Sequence, residues 1–513
     1  MSDWTAGYRA DIDYTYGYYS EINPLRIKLA FLQSGLRCPE IGTACELGFG
    51  QGLAVNFHAT ASVTQWYGTD FNPSQAAFAR GLASATNADV RLYDEAFSEF
   101  SKRVDLPDFD YIALHGIWSW ISDENRKAII EFINKKLRVG GVLYISYNTM
   151  PGWASFAPVR HILKEHSRVF GTKNSGVINH INDAINYSEE LIEKNPLFIR
   201  ANPLVSNRIN VMKQDNKNYL AHEFFNDHWE PMYFSVMNDW LQQAKLDYAC
   251  SANYLDHIDA ININTEQQSF LKKIKDPIFY QTVRDYMVNQ SFRKDYWIKG
   301  AQQLSALEQV ESLREIKVVL TTPPDYVKFK VSGALGELTL AENLIKPLLE
   351  LMSNYGSHRI IDLEYELAKS GINFSQLIDS LMILVGLGHV NPIQENDVIK
   401  KIKLQTDSLN ENILNRARFD AKINYLVSPA TGGGISVGRI AQLFLLAMKS
   451  GTDVRSEDLS QYAWRILSSQ AQKLIKQGQT LETMEENLNE LHEQAEDFLK
   501  LQLPILKALH IAD

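Results

Sequence analysis

Glu46 stands two residues before the first of three glycines in the run Ala44-Cys45-Glu46-Leu47-Gly48-Phe49-Gly50-Gln51-Gly52. Glycines in such a loop let a ligand approach the backbone where a β-carbon would otherwise stand. The spacing is GxGxG rather than the GxGxxG of a pyrophosphate loop. A carboxylate at position 46 repels a pyrophosphate and attracts an ammonium, so the charge pattern favours S-adenosylmethionine over NAD or FAD. Glu46, Gly48, Phe49, Gly50 and Gly52 would then surround its methionine part. Asp70 ends the run Tyr67-Gly68-Thr69-Asp70 and can accept both ribose hydroxyls. Asp94 ends Leu92-Tyr93-Asp94, where a carboxylate accepts from an adenine amino group while backbone near Ala96 holds the ring. Taken singly, each acid reads as well as a strand-end acid or helix cap; three at successive strand ends form a specific set.

Such a set requires strands whose carboxyl ends lie side by side. Short apolar runs at 43–47, 65–69, 89–93, 109–114 and 141–147 alternate with helical stretches, which implies parallel pairing through crossovers and a Rossmann-like doubly wound α/β sheet. A helix opened by Asn23-Pro24 precedes the first strand. Residues 155–220 are mostly helical and polar and read as an insertion over the sheet. The sheet resumes with Leu246–Cys250 and with the alternating run Arg293–Lys299, which places the end of the first domain near residue 300. Beyond it, Ala341–Ser353, His358–Ser370 and Ser375–Val385 read as three helices, followed by the strand-like His389–Ile393. That order implies a winged-helix-like domain over 301–400. Residues 401–513 read as an all-helical domain, with Met484, Leu488, Leu491, Ala495 and Phe498 on one helix face.

The 513 residues, at about 150 per domain, allow these three domains. A composition of 45% hydrophobic and 22% charged residues excludes disorder. Cys38, Cys45 and Cys250 are too few and scattered for a disulfide framework or a CxxC zinc cage. No apolar stretch reaches the roughly 20 residues of a membrane span. Asp3, Asp11 and Asp13 replace the lysines of a signal peptide, so a cytoplasmic location is expected. A net charge of −10 disfavours nucleic-acid binding and suits a basic partner. The winged-helix candidate from Gly333 to Asp397 holds three basic against nine acidic residues, so it is expected to bind protein or form a homodimer rather than to grip DNA.

The chain resembles the class I S-adenosylmethionine-dependent methyltransferases of the bacterial family with a methyltransferase regulatory domain. The likeness is carried by Tyr19-Ser20-Glu21-Ile22-Asn23-Pro24, by the glycine run, and by His115-Gly116-Ile117-Trp118-Ser119-Trp120-Ile121. Ser146-Tyr147-Asn148-Thr149-Met150-Pro151-Gly152-Trp153, His222-Glu223-Phe224-Phe225-Asn226 and Ser428-Pro429-Ala430-Thr431-Gly432-Gly433-Gly434 add to it. It is more distantly similar to rickettsial protein-lysine methyltransferases. The resemblance implies methyl transfer to a protein lysine; the alternatives are a small-molecule or glycan O-methyltransferase, or a binding protein without turnover.

Methyl transfer is an in-line displacement that asks the protein mainly to align the nucleophile and exclude water. In such a sheet the substrate wall falls after the fourth and fifth strands, at His115–Trp120 and Tyr147–Trp153. His115, of ordinary pKa about 6.5, reads equally as a proton acceptor or as a satisfied strand-end histidine. Tyr14, Tyr16 and Tyr19 of the aromatic N-terminal arm, with Tyr147 and Trp153, either enclose the sulfonium and amine through cation–π contacts or simply pack the arm, and Trp118 belongs to the catalytic wall with His115. Asn148 either orients an amine or makes a turn. His222-Glu223 begins like a zinc HExxH motif but ends in Asn226, so no metal site is expected. The triple glycine lacks the Lys-Ser/Thr of a P-loop and reads as a flexible turn.

Overall fold

The computed structural model describes residues 16–171, 176–214 and 217–512. After α1 (Pro24–Gln33), five parallel strands alternate with helices: β1 (Thr43–Leu47), α2 (Leu53–Thr60), β2 (Gln65–Thr69), α3 (Pro73–Ala83), β3 (Val90–Tyr93), α4 (Phe97–Phe100), β4 (Phe109–Leu114), α5 (Asp123–Lys136) and β5 (Leu137–Asn148). The β1, β2 and β4 strands are almost wholly buried, as expected of a parallel sheet covered on both faces. β6 (Asp247–Ser251) and β7 (Phe292–Ile298) complete seven strands in the order β3-β2-β1-β4-β5-β7-β6, β7 running antiparallel to both its neighbours. This is the Rossmann-like sheet read from the sequence. The fifth strand is longer than its 141–147 signal, because Leu137 already pairs with Phe109 across an irregularity.

Between β5 and β6 lie α6 (Ala157–Phe170), α7 (Val177–Glu193), α8 (Leu197–Ala201), α9 (Leu204–Gln214), α10 (Lys217–Phe224) and α11 (Phe234–Gln242). The first five enclose a core of their own around Trp153, Phe156, Leu163, Ile181 and Ile209. Between β6 and β7 come α12 (Asp259–Asn262), α13 (Thr265–Leu271) and α14 (Pro277–Val288). α1, α3 and α14 start alike. Asn23, Asn72 and Asp276 accept the N–H of Leu25, Ser74 and Phe279 at 3.0, 3.0 and 2.7 Å, and proline fills the next position, where its missing donor is not needed.

After α15 (Ala306–Arg314) come β8 (Lys317–Leu320), a hairpin of β9 (Lys330–Gly333) and β10 (Gly336–Thr339), then α16 (Glu342–Met352), β11 (His358–Arg359), α17 (Ile360–Ala368), α18 (Phe374–Gly386) and β12 (Val390–Pro392). The strand signal at His389–Ile393 becomes β12. It pairs with β8, giving a three-stranded sheet β11-β8-β12 beside the three helices, the winged-helix-like region. β8 is four residues long, too short to stand out as a pattern. This region shares one buried cluster with α1 and a face of the large sheet. Arg26 of α1 ties them, its Nη1 donating to Val385 O at 3.4 Å while its guanidinium lies over Tyr254.

The last region is helical, with α19 (Asn396–Ala417), α20 (Arg439–Lys449), α21 (Ser456–Ser469) and α22 (Met484–Asp497), but it also contains the hairpin β13 (Tyr425–Ser428) and β14 (Gly433–Ser436). The triple glycine is therefore no flexible turn. A β-carbon on Gly433 would stand 2.1 Å from the Tyr18 hydroxyl, and one on Gly434 would stand 2.9 Å from the Phe57 ring. The bare backbone forms a socket for the aromatic arm. Leu491, Ala495 and Phe498 are buried as the helix-face pattern implies, whereas Met484 at the start of that face is exposed. Among the described residues no helix is long and apolar enough to cross a membrane.

Candidate active site

The carboxyl ends of β1, β2 and β4 border a cleft of about 720 Å³, lined among others by Tyr19, Glu46, Gly50, Asp70, Phe97 and His115. Its floor is the glycine loop. Gly48 donates to Thr69 O at 2.8 Å and Gly50 to Asp70 Oδ2 at 2.8 Å, so the loop is pinned to β2 on both sides of Phe49. Gly50 has φ +58°, a left-handed value that an L side chain resists, and none of the described residues stands within 4 Å of where its β-carbon would be. It faces the open cleft. Gly52 does something else: its β-carbon would meet Ala79 Cβ at 2.5 Å, so this glycine seats α2 on α3 and does not line the cleft.

Two carboxylates face the cleft, and among the described residues neither forms an ion pair. Glu46 is 2% exposed, and its Oε2 has no hydrogen-bond partner among the described residues. Burial, helped by the Asp70 charge, pushes its pKa up to about 8. Burial also raises Asp70, to about 6, against the pull of the Asn72 and Gly50 N–H groups. A buried acid without a partner is costly, and a cationic group with an apolar body would relieve it.

Asp94 does not join them. It salt-bridges Arg80 at 2.6 Å, is half exposed and is held below the usual carboxylate range by that arginine. The cleft is walled near that point by Phe97, while Ala96 caps α4, its N–H donating to Glu99 Oε2 at 3.1 Å. Phe71, Gln75 and Gly17, none of them singled out by sequence, also line the cleft. Phe71 directly follows Asp70, and that adjacency is the one signal that marks it.

Tyr19 lies flat on His115, ring centroids 3.6 Å apart at 21°. Gly17 permits this: a β-carbon there would strike the Tyr19 hydroxyl at 2.6 Å. His115 Nδ1 pairs with the Tyr144 hydroxyl at 2.7 Å, and burial pushes its pKa down to about 3. It is a neutral wall of the cleft. Glu21 pairs with Lys294 at 2.5 Å; burial opposes its ionisation, but Lys294, His115 and Arg26 outweigh that and hold it at about 2.

The other rings of the expected enclosure and wall lie elsewhere. Tyr14 is outside the described residues. Tyr16 packs edge-on against Phe78 of α3 with Lys422 over its ring. Trp118 is fully buried, donating to Met232 Sδ at 3.4 Å, and Tyr147 is fully buried with its hydroxyl on Asp295 Oδ2 at 2.8 Å. Trp153 sits under the helical cap, Arg208 3.8 Å over its ring. Strand alternation explains Tyr147: on β5 it is Tyr144 and Ser146 that face His115 and Gly116. Asn148 is buried, its N–H on Ser119 Oγ at 2.8 Å and its Nδ2 3.4 Å from Glu223 Oε1 of α10. Burial raises the Glu223 carboxyl to about 7, although Asn148, Arg208 and Arg160 pull it down. The failed zinc motif thus contributes a titratable acid over the end of β5, and among the described residues no group of three or more possible metal ligands is gathered.

Residues 216–299 match the family described as a predicted methyltransferase regulatory domain. That segment comprises β6, β7 and the helices around them, so it is the outer edge of the seven-stranded sheet and no appendage to it. Protein sll1526 of Synechocystis is 36% identical over 514 residues, covering 99% of this chain and 100% of its own. Protein RP028 of Rickettsia prowazekii is 34% identical over 164 residues, 30% of this chain and 65% of its own. Among solved structures, PKMT2 from Rickettsia typhi in complex with AdoHcy superposes with a TM-score of 0.71 over 97% of this chain and 100% of that one, at 17% identity.

Proposed function

Since the chain belongs to the S-adenosylmethionine-dependent methyltransferases that carry a methyltransferase regulatory domain, we propose that it methylates a lysine amine of a basic protein in the cytoplasm. The observation that carries the protein substrate is the extent of the fold shared with PKMT2: 97% of the chain, cap and C-terminal half included, and not only the cofactor sheet.

The cleft fits the cofactor. The unpartnered Glu46 oxygen suits the α-ammonium of its methionine part, Gly50 leaves room for backbone contact, and Asp70 offers its carboxylate to the ribose. S-adenosylmethionine, when bound, supplies the electrophilic methyl carbon. Phe71 and Phe97 line the cleft and offer apolar surface to the nucleoside, and the Tyr19–His115 stack forms part of its wall, which limits the water around the methyl group. His115, held near pKa 3, shapes this wall and does not take the proton. A lysine ammonium must lose a proton before its nitrogen can attack, and a carboxylate of pKa near 7 accepts one efficiently at neutral pH. Glu223, over the end of β5 beside Asn148, has that value. The Asn148 amide is fixed through its own backbone, so it can orient the amine.

The deciding experiment incubates the protein with S-[methyl-³H]adenosylmethionine and bacterial lysate, separates protein from small molecules, and hydrolyses the labelled protein. Label recovered as methyllysine supports the reading. Label confined to small molecules replaces it with the O-methyltransferase alternative.

A further inference from the structure

A second polar cavity, of about 520 Å³, opens at the other end of the sheet between β6 and α14 and shares no lining residue with the cleft. Apart from Ser34, its lining lies within residues 216–299. Two arginines line it, Arg284 at 6% and Arg293 at 5% exposure. They are used differently. Arg293 spends every nitrogen: Nε on Asp295 Oδ2 at 2.8 Å, Nη1 on Asp285 Oδ1 at 2.6 Å, and Nη2 on Gln281 Oε1 at 3.0 Å and the Tyr248 hydroxyl at 3.4 Å. Among the described residues Arg284 makes a single hydrogen bond, Nη2 to Asp256 O at 3.0 Å, and forms no ion pair. The one acid on the cavity wall, Asp256, is already turned to the Ser251 hydroxyl at 2.8 Å and to Asn253 Nδ2 at 3.1 Å. The Tyr248 hydroxyl accepts from Arg293 and keeps its own proton to donate.

A buried guanidinium with several donors to spare, beside a hydroxyl with a proton to give, is a site for an anion with more than one oxygen. We propose that this cavity binds a small oxyanion, the carboxylate or phosphate group of a metabolite, with Arg284 as its principal ligand and Tyr248 as a second donor. The site sits at one end of a chain of contacts, Arg293 to Asp295 to Tyr147, whose last residue precedes Asn148 on β5. It is independent of the choice of methyl acceptor.

The test uses the full chain with the cleft saturated by S-adenosylhomocysteine. Thermal midpoints are recorded against sodium phosphate and, separately, sodium acetate at constant ionic strength, with chloride as control. A saturable rise with phosphate or acetate and none with chloride is expected, and the better of the two identifies the ligand class. Arg284→Gln should abolish the response while S-adenosylhomocysteine still binds. Tyr248→Phe, which keeps the ring packed, should weaken it about fivefold, the worth of one hydrogen bond. No saturable response in the wild type, or an undiminished one in either variant, overturns the site.

Discussion

Tyr19 and His115 form a parallel stack 3.6 Å apart, joining the arm before α1 to the end of β4. An aromatic pair of this kind contributes about 0.5–1.5 kcal/mol beyond its buried area. Gly17→Val, whose side chain would occupy the space of the Tyr19 hydroxyl, should displace the ring. Turnover should fall at least tenfold while the unfolding midpoint moves by less than about 3 °C. A parallel loss of stability and activity would make the stack ordinary packing.

Glu46→Gln separates binding from stability. Loss of the charge should weaken S-adenosylhomocysteine binding by about 1.5–3 kcal/mol, measured by calorimetry. The folded protein holds a proton on Glu46 up to about pH 8, whereas the unfolded chain releases it near the ordinary value of 4.5. This group therefore supports folding fully below that ordinary value and progressively less as the pH rises towards 8. The ligand-free variant should gain midpoint relative to wild type between pH 5 and 8, and wild-type binding at pH 6.5 should release a proton into the buffer.

The glycines of the loop should separate in the same way. Gly50→Val should abolish cofactor binding, because its side chain enters open cleft at a left-handed φ. Gly52→Val should chiefly destabilise, by 1–3 kcal/mol or more, through its collision with Ala79. Titration and thermal unfolding of both variants would give opposite rankings.

Glu223→Gln should leave S-adenosylhomocysteine affinity within about twofold and reduce methylation by roughly 10²–10⁴-fold, the usual worth of a general base. The acidic limb of the wild-type pH–rate profile, expected near pH 7, should disappear. A variant that retains that limb assigns the proton to another group.

Glu46, Gly50 and Asp70 were legible because a strand–glycine–helix run dictates where their atoms point, whatever the rest of the chain does. Asp94 shared the strand-end position but not the outcome, since its side chain is set by Arg80 on the neighbouring helix. Tyr147 and Trp118 were legible as aromatic residues near the substrate wall, but which face of β5 or of the turn after β4 they take follows from packing against Asp295 and Met232. Strands of five residues or more declared themselves; β8 and β14 did not. The first is too short, and the second opens with two glycines that carry no pattern until Tyr18 is laid against them.

The socket formed by Gly433 and Gly434 for Tyr18 has a consequence for biosynthesis. Asn23, five residues on, donates to Thr431 O across a separation of 408 residues. Chains emerge from the ribosome at about 5–20 residues per second, so the arm waits roughly 20–80 s for the surface that seats it. The strands of the cofactor sheet can pair long before then. A nascent chain thus holds the glycine loop before it holds the Tyr19 wall, and a ribosome-stalled fragment ending near residue 400 should bind S-adenosylhomocysteine only loosely.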